Sequence, residues 1–247
     1  MINSIIILSD IHGNLSALNA VIKDFEVRKY QPDSIAILGD IINYGMRPNE
    51  VIDRLKELST KYRIKVNLFG NHEKALIDSD TSYFSTERGK QVLDFTRNRL
   101  TQESLGYIKE LTKEGFIEKE IRGKSILFVH GCIIDPFWGK INPQTAGDLR
   151  YSRYDYVISG HSHIPHLFEN FYPAENQEYR NKKRTVFLNP GSVGQPRNHN
   201  PKAQYLYIEL ESEIFHFNSV SYDIEFERSL FNDEVHRFYS DRLINGI

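Results

Sequence analysis

Ile5-Ile6-Ile7-Leu8-Ser9-Asp10-Ile11-His12-Gly13-Asn14 joins a short apolar run to an abrupt polar turn that carries a carboxylate and an imidazole. Four consecutive apolar residues, mostly β-branched, read as a strand covered on both faces. The pattern recurs. Ile35-Ala36-Ile37-Leu38 runs into Gly39-Asp40, Val66-Asn67-Leu68-Phe69 into Gly70-Asn71-His72-Glu73, Ile126-Leu127-Phe128-Val129 into His130-Gly131, and Val157-Ile158-Ser159 into Gly160-His161-Ser162-His163. Between the first two runs, Leu15, Leu18, Val21, Ile22 and Phe25 fall at helical spacing, with Asn14 placed to cap the start and Pro32 closing the connection. Val51, Ile52, Leu55 and Leu58 repeat that spacing behind Pro48 and Asn49. Strand, helix, strand, helix, strand implies right-handed crossovers and a parallel sheet.

Beyond the third run the strand signal stops, and 73–113 reads as a helical insertion over one edge of the sheet, shading the cleft. Phe116, Ile117 and Ile121, then Ser125 to Val129, flank a turn at Arg122-Gly123-Lys124 and predict a hairpin. Ala203 to Ile208 alternates, and Ile214, Phe215, Phe217 and Val220 follow a short charged turn, so the second half is mainly antiparallel β. The polar stretch 173–184 predicts an exposed loop whose Lys182-Lys183-Arg184 is solvated surface. A carboxy-terminal helix is expected over 225–242, packed through Phe226, Leu230, Val235 and Phe238. One domain, 1–247, accounts for the whole.

The chain has 247 residues, 40% of them hydrophobic and 26% charged, with 31 Lys+Arg against 33 Asp+Glu. That near-neutral balance lacks the broad basic footprint of a duplex nucleic-acid binder or a membrane-surface protein. Small anionic substrates need only local positive charge and stay open. The one cysteine, Cys132, excludes an intrachain disulfide and a thiolate-built zinc site. The amino-terminal apolar run meets Asp10 and His12 too early for a signal peptide or membrane span. A cytoplasmic protein is the expectation.

The nine histidines decide the chemistry. Five follow strand ends, and in open α/β sheets ligands bind at the carboxyl ends of strands. Imidazole and carboxylate without thiolate suit divalent Mn, Fe, Zn, Co or Ni, and seven or eight such groups exceed what one ion with an open position takes. Two adjacent ions account for the count.

Asp-x-His, Gly-Asp, Gly-Asn-His-Glu, His and Gly-His-x-His in this order resemble the calcineurin-like metallophosphoesterase superfamily. Ser9 to Asn14, Gly39 to Gly45 and Leu188-Asn189-Pro190-Gly191-Ser192-Val193-Gly194-Gln195-Pro196-Arg197 resemble its small bacterial and archaeal phosphoesterases related to diadenosine tetraphosphatases. The resemblance implies a four-layer α-β-β-α sandwich. It implies one divalent ion on Asp10, His12, Asp40 and His163 and a second on Asp40, Asn71, His130 and His161, with manganese first among the candidate metals. It further implies a hydroxide between the ions that attacks phosphorus, His72 stabilising the transition state or protonating the leaving oxygen, and Glu73 orienting His72. The substrate would be a small phosphodiester, phosphomonoester or nucleoside polyphosphate.

The chain departs from one branch of that superfamily. Protein phosphatases and symmetric dinucleoside tetraphosphatases carry Gly-Asp-x-x-Asp-Arg-Gly, whose Arg grips phosphate, whereas Gly39-Asp40-Ile41-Ile42-Asn43-Tyr44-Gly45 has none. Arg197 or Arg47 is expected to supply that contact by bidentate pairing, Arg197 ahead of Arg47. Asn189, Gly191 and Ser192 are expected either to shape a turn or to offer a hydrogen bond to a metal ligand or substrate. Trp138 sits in a loop placed to edge the cleft or anchor itself. Two other classes compete: a non-catalytic scaffold like the phosphoesterase-like subunit of the retromer coat, and a nuclease. Retention of His72 and every ligand position argues against the first, and the neutral charge balance against the second.

Overall fold

Strand β1 (Ser4–Leu8) is buried along its whole length and pairs in parallel with β2 (Ser34–Ile37), which pairs in parallel with β3 (Ile64–Asn67). The side chains alternate as a pleat requires. Ile6 and Leu8 face α1 (Leu15–Val27) and α2 (Pro48–Lys61), whereas Ile5 and Ile7 face a second sheet. Each fully buried Ile contributes about 1.5–3 kcal/mol of transfer free energy. Asn14 caps α1 by accepting from the Ala17 N–H at 3.0 Å. The computed structural model describes residues 3–178 and 180–247.

The stretch 73–113 holds α3 (Asn71–Asp78), α4 (Glu87–Arg99) and α5 (Gln102–Lys109), the last two capped by Thr86 and Thr101. The predicted hairpin is β4 (Phe116–Ile121) and β5 (Lys124–Val129). With β6 (Tyr156–Ser159), β7 (His166–Pro173) and β8 (Lys182–Asn189) it forms a sheet of order β4-β5-β6-β8-β7. Strands β9 (Ala203–Glu209) and β10 (Ile214–Val220) return to the first sheet, giving β10-β9-β1-β2-β3. Ile5, Ile7, Leu38 and Leu206 of one sheet meet Phe128, Tyr156, Ile158 and Leu188 of the other in the central core. The result is the expected α/β sandwich. Its fourth layer is thin: Tyr151 and Tyr154, in and beside a 3-10 turn, cover Leu127, Val157 and Phe187.

Two local expectations change. The segment 182–184 is strand rather than loop, because Lys182 and Lys183 pair with Pro173 and Tyr172 and so extend the β7–β8 ladder. The helix expected over 225–242 is broken into α6 (Ile224–Ser229) and α7 (Phe238–Asn245). Asn232 is the cause: its side-chain oxygen accepts from the Glu234 N–H at 3.1 Å, an Asx turn that competes with helix. Val235 and Tyr239 still pack back, against Met46, Val92 and Phe95. Among the described residues, no helix is long and apolar enough to cross a membrane.

Candidate metal centre

The loops leaving β1, β2, β5 and β6 and the first turn of α3 converge on one rim. Asp10, His12, Asp40, His161 and His163 all adopt left-handed backbone, with φ between 50° and 60°. Such conformations cost non-glycine residues free energy and persist only where the surroundings enforce them. Here the loops lace together: His12 N–H donates to the Asp40 carbonyl (2.9 Å), Gly13 N–H to that of Ile41 (2.9 Å), and Gly160 N–H to that of His130 (2.9 Å). Gly70 must be glycine, because a Cβ there would overlap the Asp40 carboxylate.

Two groups of donors result. One atom each from Asp10, His12, Asp40 and His163 lie within 4.8 Å of one another, as do atoms from Asp40, His130 and His161, so Asp40 is common to both. Asn71 joins the second group, its Oδ1 lying 3.0 Å from His130 Nε2 and 3.0 Å from His161 Nδ1. All except the half-buried His161 are buried.

The imidazoles are oriented from behind. Nδ1–H of His12, His130 and His163 donates to the carbonyls of Ile42 (3.1 Å), Leu38 (2.7 Å) and Gln195 (2.5 Å). A carbonyl only accepts, so each Nδ1 bears the proton and Nε2 points inward. Burial, reinforced by neighbouring cationic groups, holds His12 well below the usual imidazole range and lowers His163, which favours the neutral form of both. Their two Nε2 atoms then face each other at 3.1 Å as lone pairs, and Asp10 Oδ1 is buried without a hydrogen-bond partner. Inward-facing lone pairs around an unpartnered carboxylate oxygen are an arrangement that a cation satisfies. Burial opposes charge on Asp10 and Asp40, but the adjacent imidazoles prevail and both carboxyls stay below their ordinary range. His130 is the exception: burial works against its charge, yet Asp40 lifts it to about 9, so in the metal-free protein a proton stands where a cation would.

His72 approaches from one side. Its backbone N–H donates to Asp40 Oδ1 (3.0 Å), its Nε2 lies 3.8 Å from Asp40 Oδ2, and burial lowers it to about 4. Glu73 does not orient it. The Glu73 carboxylate instead accepts from the N–H groups of Asp40 (2.8 Å), Ile41 (2.9 Å), Ile42 (3.2 Å) and Gly70 (2.8 Å) and so clamps the β2 loop to the start of α3. Burial and the Asp40 charge push it up to about 7, against the pull of those four donors. The group on His72 Nδ1 is the Asn43 amide at 2.6 Å, itself 3.0 Å from Thr96 Oγ1.

Other assignments sort as clearly. Asn189 is fully buried, donates to the Gly160 carbonyl (2.8 Å) and accepts from the Gly191 N–H (2.9 Å), so it braces the His161 loop and does not line the cleft. Arg47 is committed to Glu227 and Ser16. Arg197 does line the cleft, a space of about 320 Å³ that also takes in Asp40, Asn71, His72 and Trp138. Sequence reasoning missed Asn43, Tyr44, Arg88 and Arg242. For Asn43 the Gly-Asp-x-x-Asn spacing was the available signal; the two arginines come from α4 and α7 with no motif around them.

Two facing sheets with a buried Asp/His/Asn cluster at the strand ends define a metallophosphoesterase. The family model of the calcineurin-like phosphoesterase superfamily domain matches residues 4–213, and the chain belongs to that divalent-metal-dependent superfamily. An uncharacterized protein of Methanocaldococcus jannaschii is 31% identical over 230 residues, spanning 91% of this chain and 90% of that one. The crystal structure of a metallophosphoesterase from Sphaerobacter thermophilus superposes with a TM-score of 0.74 at 27% identity, covering 100% of both chains. A hypothetical protein from Pyrococcus horikoshii shares the fold, with a TM-score of 0.81 at 22% identity over 99% of this chain and 98% of that one.

Proposed function

We propose that the chain hydrolyses a small phosphomonoester, phosphodiester or phosphoanhydride in the cytoplasm. Asp10, His12, Asp40 and His163 would hold one divalent cation, and Asp40, Asn71, His130 and His161 a second. The observation that carries this reading is the sharing of Asp40 between two buried donor groups whose imidazoles are turned inward by backbone carbonyls. When bound, such a pair supplies Lewis acidity toward phosphoryl oxygens and acidifies water at the site. Nitrogen and oxygen donors accept Mn, Fe, Zn, Co or Ni.

The chain's own residues do the rest. His72, braced by Asn43 with Nε2 toward Asp40, donates a proton to the leaving oxygen, a contribution of about 10²–10⁴ in rate and largest for poor leaving groups. Arg197 binds a non-bridging oxygen. Tyr44, at the position where the related phosphatases carry their phosphate-gripping arginine, lies beside Arg197, which takes over that contact. The buried walls exclude competing water.

Elemental analysis and hydrolysis of an aryl phosphodiester test this reading. Asp40→Asn is expected to lose metal and activity together; His72→Ala is expected to keep its metal and lose rate. Equal hydrolysis by metal-loaded wild type and both variants would overturn it.

A further inference from the structure

The cleft that holds the metal-ligand cluster also carries a cationic lining. Arg88 from α4, Arg197 and Arg242 from α7 all line it. Phe238 spaces two of them, with the Arg88 guanidinium 4.2 Å and the Arg242 guanidinium 4.8 Å from its ring centroid. Tyr239, the next residue, stacks on Tyr44 at 4.7 Å, and the Tyr44 ring lies 4.5 Å from those of His12 and His72. The carboxy-terminal helix is thereby fixed against the catalytic loop.

No side-chain carboxylate pairs with any of the three guanidiniums among the described residues. The nearby acids are spent elsewhere: Glu87 on Lys90, Asp241 on Arg228 and Arg237, and Glu234 on Arg99. Arg242 Nε donates to the main-chain oxygen of Ile247 (2.6 Å), and Arg197 Nε is buried with no partner at all. Burial and the charges of Arg197 and Arg88 depress Arg242 to about 10. Three guanidiniums lining one cleft, with no side-chain carboxylate among their partners, suit a multiply charged tetrahedral anion. One phosphoryl group at the His72 end of the cleft does not use them all.

We propose that Arg88 and Arg242, beside Arg197, form a subsite for a second phosphoryl group, so that the substrate is a small molecule carrying at least two phosphates. The proposal rests on the phosphoesterase reading and adds to it the substrate class. Arg197 reads the group next to the scissile bond, and Arg88 and Arg242 read the more distant one. The cleft's small volume favours a compact phosphorylated molecule over a polymer.

The test is titration calorimetry on the full-length, chelator-treated protein with methylenediphosphonate and methylphosphonate, followed by kcat/KM of the metal-loaded protein on a bisphosphorylated and a monophosphorylated ester of the same alcohol. Wild type is expected to bind the bisphosphonate at least about tenfold more tightly and to show the same preference in kcat/KM. Arg88→Gln and Arg242→Gln, each checked for an unchanged melt, are expected to remove most of both preferences. Absence of preference in wild type, or its survival in both variants, overturns the subsite; the wild-type comparison decides alone if a variant misfolds. Arginine-dependent binding with no hydrolysis of any phosphoester would sink the phosphoesterase reading and leave the anion site standing. Hydrolysis without preference would do the reverse.

Discussion

The side-chain amide of Asn43 meets Nδ1 of His72 at 2.6 Å, on the side of the ring opposite the metal ligands. In the related phosphatases the corresponding position is Asp, and a carboxylate there would stabilise imidazolium. A neutral amide does not, and burial leaves His72 at about 4. Asn43→Asp is therefore expected to raise the pKa of His72 by more than one unit. A reaction that needs the His72 proton loses rate as pH rises through that pKa, so the alkaline limb of the pH–rate profile should move upward. A limb that stays put in a metal-replete variant would remove His72 from the role of proton donor.

Glu73 supports the site through stability. Each of its oxygens accepts two backbone N–H groups, and an amide in its place turns an NH₂ toward two of those donors. Glu73→Gln is expected to cost about 2–3 kcal/mol, or roughly 5–10 °C in Tm for a chain of this size. A thermal melt with metal content measured alongside checks this. Unchanged stability with an altered pH–rate profile would instead make Glu73 a partner of His72.

What the sequence made legible follows from the range of the interactions. Asp10, His12, Asp40, Asn71, His130, His161 and His163 each directly follow an apolar run or its glycine, so chain order already carries them to one rim. Asn14 and the Arg122-Gly123 turn are equally local. Glu73 was assigned to its sequence neighbour, His72, because three of its four partners are N–H groups more than thirty residues away on the β2 loop. For Asn189 the sequence left a structural turn and a substrate contact open, and the β6–β8 pairing, which puts it behind His161, decides for the turn. Arg88 and Arg242 reach the cleft only through the packing of α4 against the carboxy-terminal segment, which no local periodicity encodes.

Gly70 and Gly106 should respond oppositely to alanine. A methyl at 70 would overlap the Asp40 carboxylate and its backbone nitrogen, so Gly70→Ala is expected to destabilise by about 1–3 kcal/mol and to displace Asp40. Because Asp40 belongs to both donor groups, bound metal should fall for both ions. At Gly106, in α5, a Cβ would meet nothing within 4 Å, and the change is expected to stabilise by about 0.5–1 kcal/mol. Comparable melts for the two variants would contradict the packing argument.

The metal-free protein should be acutely sensitive to acid. Burial holds His72 at about 4, His161 at about 3 and His166 at about 4, and holds His12 and His163 below their ordinary value as well. Unfolding returns each to about 6.5. A group whose folded pKa is depressed contributes stability that is present above its unfolded pKa and lost as pH falls toward the folded one. Between pH 6.5 and about 4, unfolding therefore takes up about three protons on His72, His161 and His166, and His12 and His163 act in the same direction. Glu73, raised to about 7, acts in the opposite sense, because it releases its proton on unfolding over the same window. His130 is charged in both states there and drops out. About two protons remain on His72, His161, His166 and Glu73 together, and at about 1.4 kcal/mol per proton per pH unit the slope near pH 5.5 is about 3 kcal/mol per unit. Against a total stability of about 5–15 kcal/mol, the metal-free protein is expected to lose a large share of its stability between pH 7 and 5. Urea melts of chelator-treated protein at pH 7, 6 and 5 measure it directly, and a midpoint that barely moves across that range would mean these imidazoles are not held neutral in the fold.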